Sequence, residues 1–217
     1  MAVLTKQELE RRVRTPPGSP GRIGITPLLD SDQIGSDSID IRLGSYFTVF
    51  RRTRMACLDV GEDSSPYDFQ EMIHVPMGQR LIIPPSMLLL GVTLEYMAVP
   101  SDLCCHVVTR SSWGRLGVII ATAVWVHPNF TGCLTLELVN NAEAPVALYP
   151  GTEVGQLVFH SLDSDAQIAP SQYEGQTRPL YSKLFSNRGE IERVRRIGDR
   201  FHGVEQCMAR APQPLRP

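Results

Sequence analysis

Many short apolar segments, separated by turns that contain glycine or proline, lie between residues 38 and 160 of this 217-residue chain. Several alternate apolar and polar residues with a period of two, and no long helical period interrupts them. The segments predicted as strands are Ser38–Leu43, Tyr46–Phe50, Arg80–Ile83, Met87–Leu94, Leu103–Thr109, Val118–Val126, Cys133–Val139, Val146–Tyr149 and Val154–Phe159. Because short strands at such close spacing are typical of sandwiches and barrels, the sequence predicts an all-β fold.

The N-terminal part reads differently from this central region. Residues 5–14 are predicted as a short helix, with Thr5 as N-cap and Glu8 three residues later as its capping-box partner. The following stretch, residues 15–21, is rich in proline and glycine and breaks the helix. It therefore reads as a linker.

The C-terminal part, from Ser161 onward, is polar and rich in arginine, with a short helix predicted over Ile191–Arg196. No role is assigned to the first 27 residues or to residues 186–217. The predicted organisation is an N-terminal helix and linker at 1–27, a β-domain at 28–162 and a C-terminal tail at 163–217.

Composition limits the classes of function. The hydrophobic content of 42% is ample for a core, and a formal charge of −2 argues against a nucleic-acid-binding surface as the main function. The longest apolar run, Met87–Gly91, has the length of a strand and not of a membrane helix. Because the first ten residues lack the apolar region of a signal peptide, we expect a cytoplasmic protein without membrane contact.

The five cysteines do not form a recognisable framework. Their number is odd, no C-x-x-C occurs, and no histidine pair has the spacing of zinc ligands. We therefore expect free thiols that are buried or partly buried. They are Cys57, Cys104, Cys105, Cys133 and Cys207.

The segment with the clearest chemistry is residues 110–117, which read Arg-Ser-Ser-Trp-Gly-Arg-Leu-Gly. Arginine forks and hydroxyls bond phosphate oxygens, and glycine lets the backbone come close to a ligand. No histidine lies near Ser111 in sequence to suggest a hydrolase triad, and the ending of a Walker phosphate loop is missing. The segment predicts phosphate binding, although a turn with solvated arginines remains open.

A carboxylate lies about twenty residues further on, inside an apolar strand. The even positions from Leu134 to Leu138 share one face, while Thr135, Glu137 and Val139 share the other. Glutamate on a strand usually faces water. On this half-apolar face, however, Glu137 could be partly desolvated and act as a general base. His127, in the turn before this strand, reads as a surface histidine.

Several segments together resemble the dCTP deaminases of the trimeric dUTPase superfamily, over roughly residues 28–185. The match rests on their joint order and not on any single motif. The segments are Ser38-Ile39-Asp40-Ile41-Arg42-Leu43-Gly44, Thr93-Leu94-Glu95 with Pro100, Arg110-Ser111-Ser112-x-x-Arg115-x-Gly117, Thr122-Ala123, Gly132-x-Leu134-Thr135-Leu136-Glu137-Leu138-x-Asn140, Pro150-Gly151-x-x-x-Gly155-Gln156-Leu157 and Tyr173-Glu174-Gly175-Gln176-Thr177-x-Pro179 with Ser182.

The resemblance implies a distorted jelly-roll, dUTPase-like β-barrel with short helices, assembled as a homotrimer with active sites between subunits. It implies the hydrolytic deamination of dCTP to dUTP and ammonia, which feeds dUMP and thymidylate synthesis. Glu137 would deprotonate the water that attacks C4 of cytosine. Ser111 and the carbonyl of Ala123 would hold that water, and Arg115 would support the charge on Glu137.

The same resemblance implies the substrate-binding residues. Arg110 and Ser112 would contact triphosphate oxygens, while Gln156, Tyr173 and Gln176 would help to close over the nucleotide. Mg²⁺ would be bound through the triphosphate, without a metal site on the protein. Inhibition by dTTP is plausible for such an enzyme, and we expect a small nucleotide and copies of the same chain as the partners.

The sequence agrees with a mechanism without zinc. Zinc-dependent deaminases activate water with an H-x-E and a P-C-x-x-C motif, and this chain contains neither. If the chain deaminates cytosine, a carboxylate must activate the water, and Glu137 is the best-placed acid.

One departure from the family's sequence pattern bears on which product is released. His127, which we place among the substrate-binding residues, stands in the turn where dUTPases and bifunctional deaminase-diphosphatases carry an aspartate. That aspartate serves the sugar and the water attacking the α-phosphate, so His127 counts against diphosphatase activity. A bifunctional enzyme, a dUTPase-like nucleotide hydrolase and a non-catalytic nucleotide sensor remain as alternatives, and the choice among cytosine nucleotides stays open.

Overall fold

The structure, a computed structural model, describes residues 2–54, 57–59, 65–121, 125–166, 173–184, 189 and 191–199. The chain divides into two compact units, one of residues 1–51 and 70–180 and the other of residues 52–69 and 181–217. Each unit is described by itself.

The larger unit consists mainly of β-strands. It contains helices α1 (Lys6–Arg14) and α2 (Ser111–Arg115) and a 3₁₀ helix at Ser31–Gln33. The strands are β1 (Gly24–Thr26), β2 (Ile39–Arg42), β3 (Tyr46–Phe50), β4 (Gln70–His74), β5 (Leu81–Ile83), β6 (Leu88–Ala98), β7 (Leu103–Thr109), β8 (Val118–Ile120), β9 (Trp125–Val126), β10 (Thr131–Asn140), β11 (Val146–Leu148) and β12 (Glu153–Ser161).

The strands pair in three antiparallel sheets. The first has the order β4-β3-β6-β10-β8, with β1 also paired to β6. The second has the order β2-β12-β7-β9, and β11 pairs with β5 in the third. The order departs from the chain order, as in Greek-key and jelly-roll folds, because neighbouring strands are distant in sequence. The all-β prediction is confirmed.

The core contains apolar side chains from both larger sheets. Leu136 and Leu138 of β10 and Leu157 of β12 are completely buried in a single cluster. Each such leucine contributes roughly 1.5–3 kcal/mol relative to an exposed one. Because a slip of one residue would turn these side chains toward the solvent, the hydrophobic alternation also sets the register of β10. The predicted inward face of this strand is confirmed.

Helix α1 packs on the same core through Leu9, which is completely buried. The helix prediction is confirmed and Thr5 is its N-cap, but the Thr5 side chain forms no capping bond within the described helix. The Glu8 carboxylate instead accepts hydrogen bonds from Arg11 and Arg12, mainly the former, which lower its pKa to about 2. The predicted capping box is therefore wrong, because nearby guanidinium groups compete for the carboxylate.

Several strands differ from their predictions. The predicted strand Val118–Val126 is divided into β8 and β9, with residues 122–124 outside the described part. β6 continues four residues past Leu94, and β4, a polar strand at the edge of the sheet, was not predicted. Pairing to β3 along its whole length defines β4, and this long-range contact is not visible as a local hydrophobic pattern.

The described cysteines are free thiols. Cys104, Cys105 and Cys133 are buried, and burial raises the pKa of each, so they remain neutral at ordinary pH. Cys57 is exposed, which contradicts the expectation of burial, and Cys207 lies outside the described residues.

The smaller unit contains a 3₁₀ helix at Pro66–Asp68, capped reciprocally by Ser65 and Asp68. The rings of Tyr67 and Tyr181 meet edge to face at 4.9 Å. Residues 191–199 are helical, which confirms the predicted helix over Ile191–Arg196. Among the described residues of the chain, no helix has both the length and the apolar character needed to cross a membrane.

Candidate active site

The arginine-serine segment links the two larger sheets. Arg110 follows the end of β7 as the N-cap of α2, and β8 after it pairs with β10. The backbone N–H of Ile120 donates to Thr109 Oγ1 at 2.9 Å, which ties β8 back to the end of β7. Gly117 closes the turn with a positive φ of 83°, and its carbonyl accepts from the N–H of Asn141 at 2.8 Å. The segment is thus held at both ends.

Arg110 lies among acidic groups that the sequence brings from elsewhere. Its Nη1 donates to Asp40 Oδ2 at 2.8 Å and to Glu153. The other oxygen of Asp40 accepts from Gln156 Nε2 at 2.9 Å. The structure therefore brings together two of the predicted substrate-binding residues, Arg110 and Gln156, on a shared carboxylate.

Sequence reasoning assigned no role to Asp40 or Glu153. They lie 70 and 43 residues from Arg110 along the chain, and only the pairing of β2 and β7 with β12 brings them close. Asp40 could have been found, since it lies in one of the segments that carry the family resemblance. No feature of the sequence pointed to Glu153.

The other polar groups of α2 face outward. Ser111, Ser112 and Arg115 are exposed, so a ligand can reach their hydroxyls and guanidinium. Trp113 fixes the helix on the sheet, because its Nε1 donates to the carbonyl of Glu153 at 2.8 Å. Ala123, the remaining predicted catalytic position, lies outside the described residues.

Glu137 is half-buried on β10, and its backbone carbonyl accepts from the N–H of Ala121 at 2.7 Å. Burial raises the pKa of its carboxyl above the ordinary value of 4.5. Thr135 lies on the same strand face two residues away, and its buried hydroxyl has no hydrogen-bond partner among the described residues. On this face the Glu137 carboxylate can accept a proton, and the Thr135 hydroxyl is available to form a hydrogen bond with a ligand.

A second group of predicted residues lies at the start of β10. Gln176 is only 8% exposed, and its Nε2 donates to the Cys133 carbonyl at 2.8 Å. His127 is exposed in the turn before β10, and Tyr173 is half-buried. Glu137 lies four positions after Cys133, which is about 13 Å along a strand. Gln176 therefore bonds to β10 at a point well separated from Glu137.

Potential metal ligands do not cluster in the described part of the chain. No group of three or more His, Cys, Asp or Glu residues there could hold an ion. Asp40 and Glu153, which offer the hard oxygens that Mg²⁺ prefers, bond to arginine instead.

A solved structure shares this fold. The crystal structure of 2'-deoxycytidine 5'-triphosphate deaminase from Agrobacterium tumefaciens superposes with a TM-score of 0.54 at 22% sequence identity. The superposition covers 72% of this chain and 47% of that one, so this chain spans about half of its length.

Sequence comparisons point to the same group of proteins. A family model described as dCTP deaminase-like matches residues 3–162. The dUMP-forming dCTP deaminase of Methanobrevibacter smithii is 38% identical over 191 residues, or 85% of this chain and 96% of that protein. The dCTP deaminase of Natronomonas pharaonis is 35% identical over 193 residues, or 86% of this chain and 96% of that protein. The chain therefore belongs to the dCTP deaminase-like family.

Proposed function

We propose that this protein catalyses the hydrolytic deamination of dCTP to dUTP and ammonia. The observation that carries the proposal is the half-buried carboxylate of Glu137, whose pKa is raised by burial. A general base is most effective when its pKa approaches the working pH, and an ordinary glutamate lies well below neutrality. Glu137 therefore has the properties of a base that removes a proton from water.

The chemistry needs one base and one proton carrier. Glu137 accepts a proton from water as the oxygen adds to C4 of cytosine, and the same carboxyl delivers that proton to N3. Glu137 then carries the proton of the new C4 hydroxyl to the amino group, and the C4–N bond breaks as the C4 carbonyl forms, so that ammonia leaves. The sum is dCTP plus water giving dUTP plus ammonia. Ser111 and the Ala123 carbonyl hold the water in this proposal, and Arg115 stabilises the ionised Glu137.

Arg110 and Ser112 bind the triphosphate, since a guanidinium fork and a hydroxyl match phosphate oxygens. Gln156, bonded to the same aspartate as Arg110, lies close enough to join them. Magnesium enters with the triphosphate as part of the substrate. Inhibition by dTTP and a cytoplasmic location stay predictions.

We also propose a homotrimer, in which Gln176, Tyr173 and His127 complete the site of a neighbouring subunit. Its support is the position of Gln176, which bonds to Cys133, about 13 Å along β10 from Glu137. Multi-angle light scattering should give a mass three times that of a single chain.

A second candidate function is the direct formation of dUMP. Several relatives, including those of Methanobrevibacter smithii and Methanothermobacter thermautotrophicus, are named as dUMP-forming. Others, from Natronomonas pharaonis and Halorubrum lacusprofundi, are named simply as dCTP deaminases. His127 favours the first candidate, because a histidine does not replace an aspartate that positions water at the α-phosphate.

The deciding experiment is to incubate the protein with dCTP and Mg²⁺ and to separate the products by chromatography. We expect dUTP and ammonia in equal amounts. The appearance of dUMP and pyrophosphate would make the enzyme bifunctional and refute the argument from His127. If bound dCTP stays unchanged, the proposed activity is wrong.

The pH profile provides an independent prediction. Burial raises the pKa of Glu137, and the base must be ionised to accept a proton. Activity should therefore be full above this raised pKa and fall as the pH decreases through it. We expect the acidic limb of kcat/KM to titrate above the ordinary glutamate value of 4.5, as measured in dCTP assays over a pH series. An acidic limb at or below that value would contradict the assignment of Glu137 as the base.

A further inference from the structure

We propose that Glu153 and Asp40 are positioning residues that hold Arg110 in the orientation in which it binds phosphate. This inference rests on the proposed function only in taking Arg110 as a phosphate ligand. Both carboxylates bond to the same guanidinium nitrogen, Nη1. No bond within the described residues engages Nε or Nη2 of Arg110. One corner of the guanidinium is thus fixed to the protein, while the opposite edge can present two N–H groups to a ligand.

The two carboxylates are themselves held by other groups. Glu153 Oε1 accepts from Arg42 Nη2 at 2.9 Å, while its second oxygen binds Arg110. Asp40 Oδ1 accepts from Gln156 Nε2 at 2.9 Å, while Oδ2 binds Arg110. The result is a continuous chain of hydrogen bonds in which Arg110 occupies the middle. Neither carboxylate can turn away without breaking a second bond.

The Arg42 end of this hydrogen-bond chain is buried. Only 8% of the Arg42 side chain is exposed, and Arg42 also bonds Asp30 at 2.8 Å. Its backbone N–H donates to the completely buried Glu95 at 2.9 Å. Because Arg42 is fixed in the interior, Glu153 transmits that rigidity to the partly exposed Arg110. Such preorganisation reduces the side-chain entropy that Arg110 loses when it binds an anion.

Strand register explains why these residues meet. Glu153 is paired with Arg42 and Gln156 with Asp40 across β12 and β2, and a bulge lies between the two pairs. Gly155 is paired with Thr109 on β7, so Arg110 emerges directly beside them. The site therefore depends on three strands, and no short segment of the sequence contains it.

The loss of the Glu153 charge and the loss of its positioning role have opposite effects on anion binding, so the inference can be tested. Glu153→Gln removes a negative charge, so simple Coulomb attraction would strengthen the binding of a polyanion. A glutamine has only one accepting oxygen for the two arginines, however, so Arg42 or Arg110 loses its partner. If positioning dominates, anion binding weakens.

The experiment measures the dissociation constant of inorganic tripolyphosphate by calorimetry for the wild type, Glu153→Gln, Arg110→Ala and the double variant. We expect Glu153→Gln to weaken binding about tenfold in the wild-type background and less than about twofold in the Arg110→Ala background. Glu143→Gln, which removes the charge of an exposed carboxylate in the turn after β10, is the matched control and should not weaken binding.

Tighter or unchanged tripolyphosphate binding by Glu153→Gln would overturn the inference. It would also be overturned if Glu153→Gln weakened binding equally in the wild-type and Arg110→Ala backgrounds, or if the wild type did not bind tripolyphosphate. If Glu153→Gln does not fold, Asp40→Asn removes the other contact while leaving the Arg42–Glu153 pair intact, and it should weaken binding in the same way. The deamination assay separates this inference from the proposed function. A wild type that binds tripolyphosphate through Glu153 but leaves dCTP unchanged would refute the function alone.

Discussion

Glu137→Gln is expected to lower the rate of dCTP deamination by at least about 10²–10⁴-fold, the usual contribution of a general base. The amide has nearly the same size and shape as the carboxyl but cannot take a proton from water. Nucleotide affinity should change little, because the proposed phosphate contacts lie on Arg110 and Ser112. Single-turnover assays and calorimetry with dCTP would measure the two effects separately.

Protein stability provides a second readout for this variant. Burial raises the folded-state pKa of Glu137, so the neutral form is favoured in the fold. The protonated carboxyl of Glu137 therefore stabilises the fold fully at pH values below the unfolded-state pKa of this group. This contribution is lost as the pH rises through its folded-state pKa. A glutamine resembles the neutral form, so the variant should not melt below the wild type at neutral pH. Glu143→Gln should retain full activity, and full activity in Glu137→Gln would refute the proposed mechanism.

Gly117→Ala is expected to destabilise the protein by about 2–4 kcal/mol. Gly117 has a φ of 83°, where a residue with a Cβ pays about 1–2 kcal/mol. A Cβ at this position would also lie 2.8 Å from the backbone nitrogen of Ala142, so the turn after β10 must shift. Unfolding in urea, followed by circular dichroism, would measure the loss.

Gly114, three residues earlier in the same segment, is the matched control. It lies within α2, and a Cβ added there meets no atom within 4 Å. Gly114→Ala should leave stability unchanged or raise it by about 0.4–1 kcal/mol, because alanine restricts the unfolded chain more than glycine does. Equal stability of the two alanine variants would contradict the backbone argument for Gly117.

The sequence was sufficient for the features that depend on local patterns. Strand β10 was predicted from alternation, and its face of leucines is buried as expected. The strands Tyr46–Phe50 and Leu103–Thr109 have the predicted bounds. A period of two arises because successive side chains on a strand point to opposite faces, so one buried face leaves a readable pattern. The family resemblance likewise depends on short segments in a fixed order.

The candidate site could be predicted only in part. Arg110, Ser111, Ser112 and Arg115 are adjacent in sequence, so one segment is enough to propose phosphate binding. Glu137 could be found because a carboxylate interrupts an apolar strand. No local pattern indicated that Gln176 would lie against Cys133 in the same chain, since backbone hydrogen bonds between distant segments leave no periodic signal in the sequence.

What the sequence by itself determined is the all-β class, the buried face of β10 and the chemical character of the arginine-serine segment. Only the tertiary structure decided the environment of these groups. It divided the strand predicted after Gly117, surrounded Arg110 with Asp40 and Glu153, and buried Glu137 enough to raise its pKa. The physical reason is that hydrophobic alternation is recorded in neighbouring residues, whereas desolvation and ion pairing depend on groups that pairing of distant strands brings within a few ångströms.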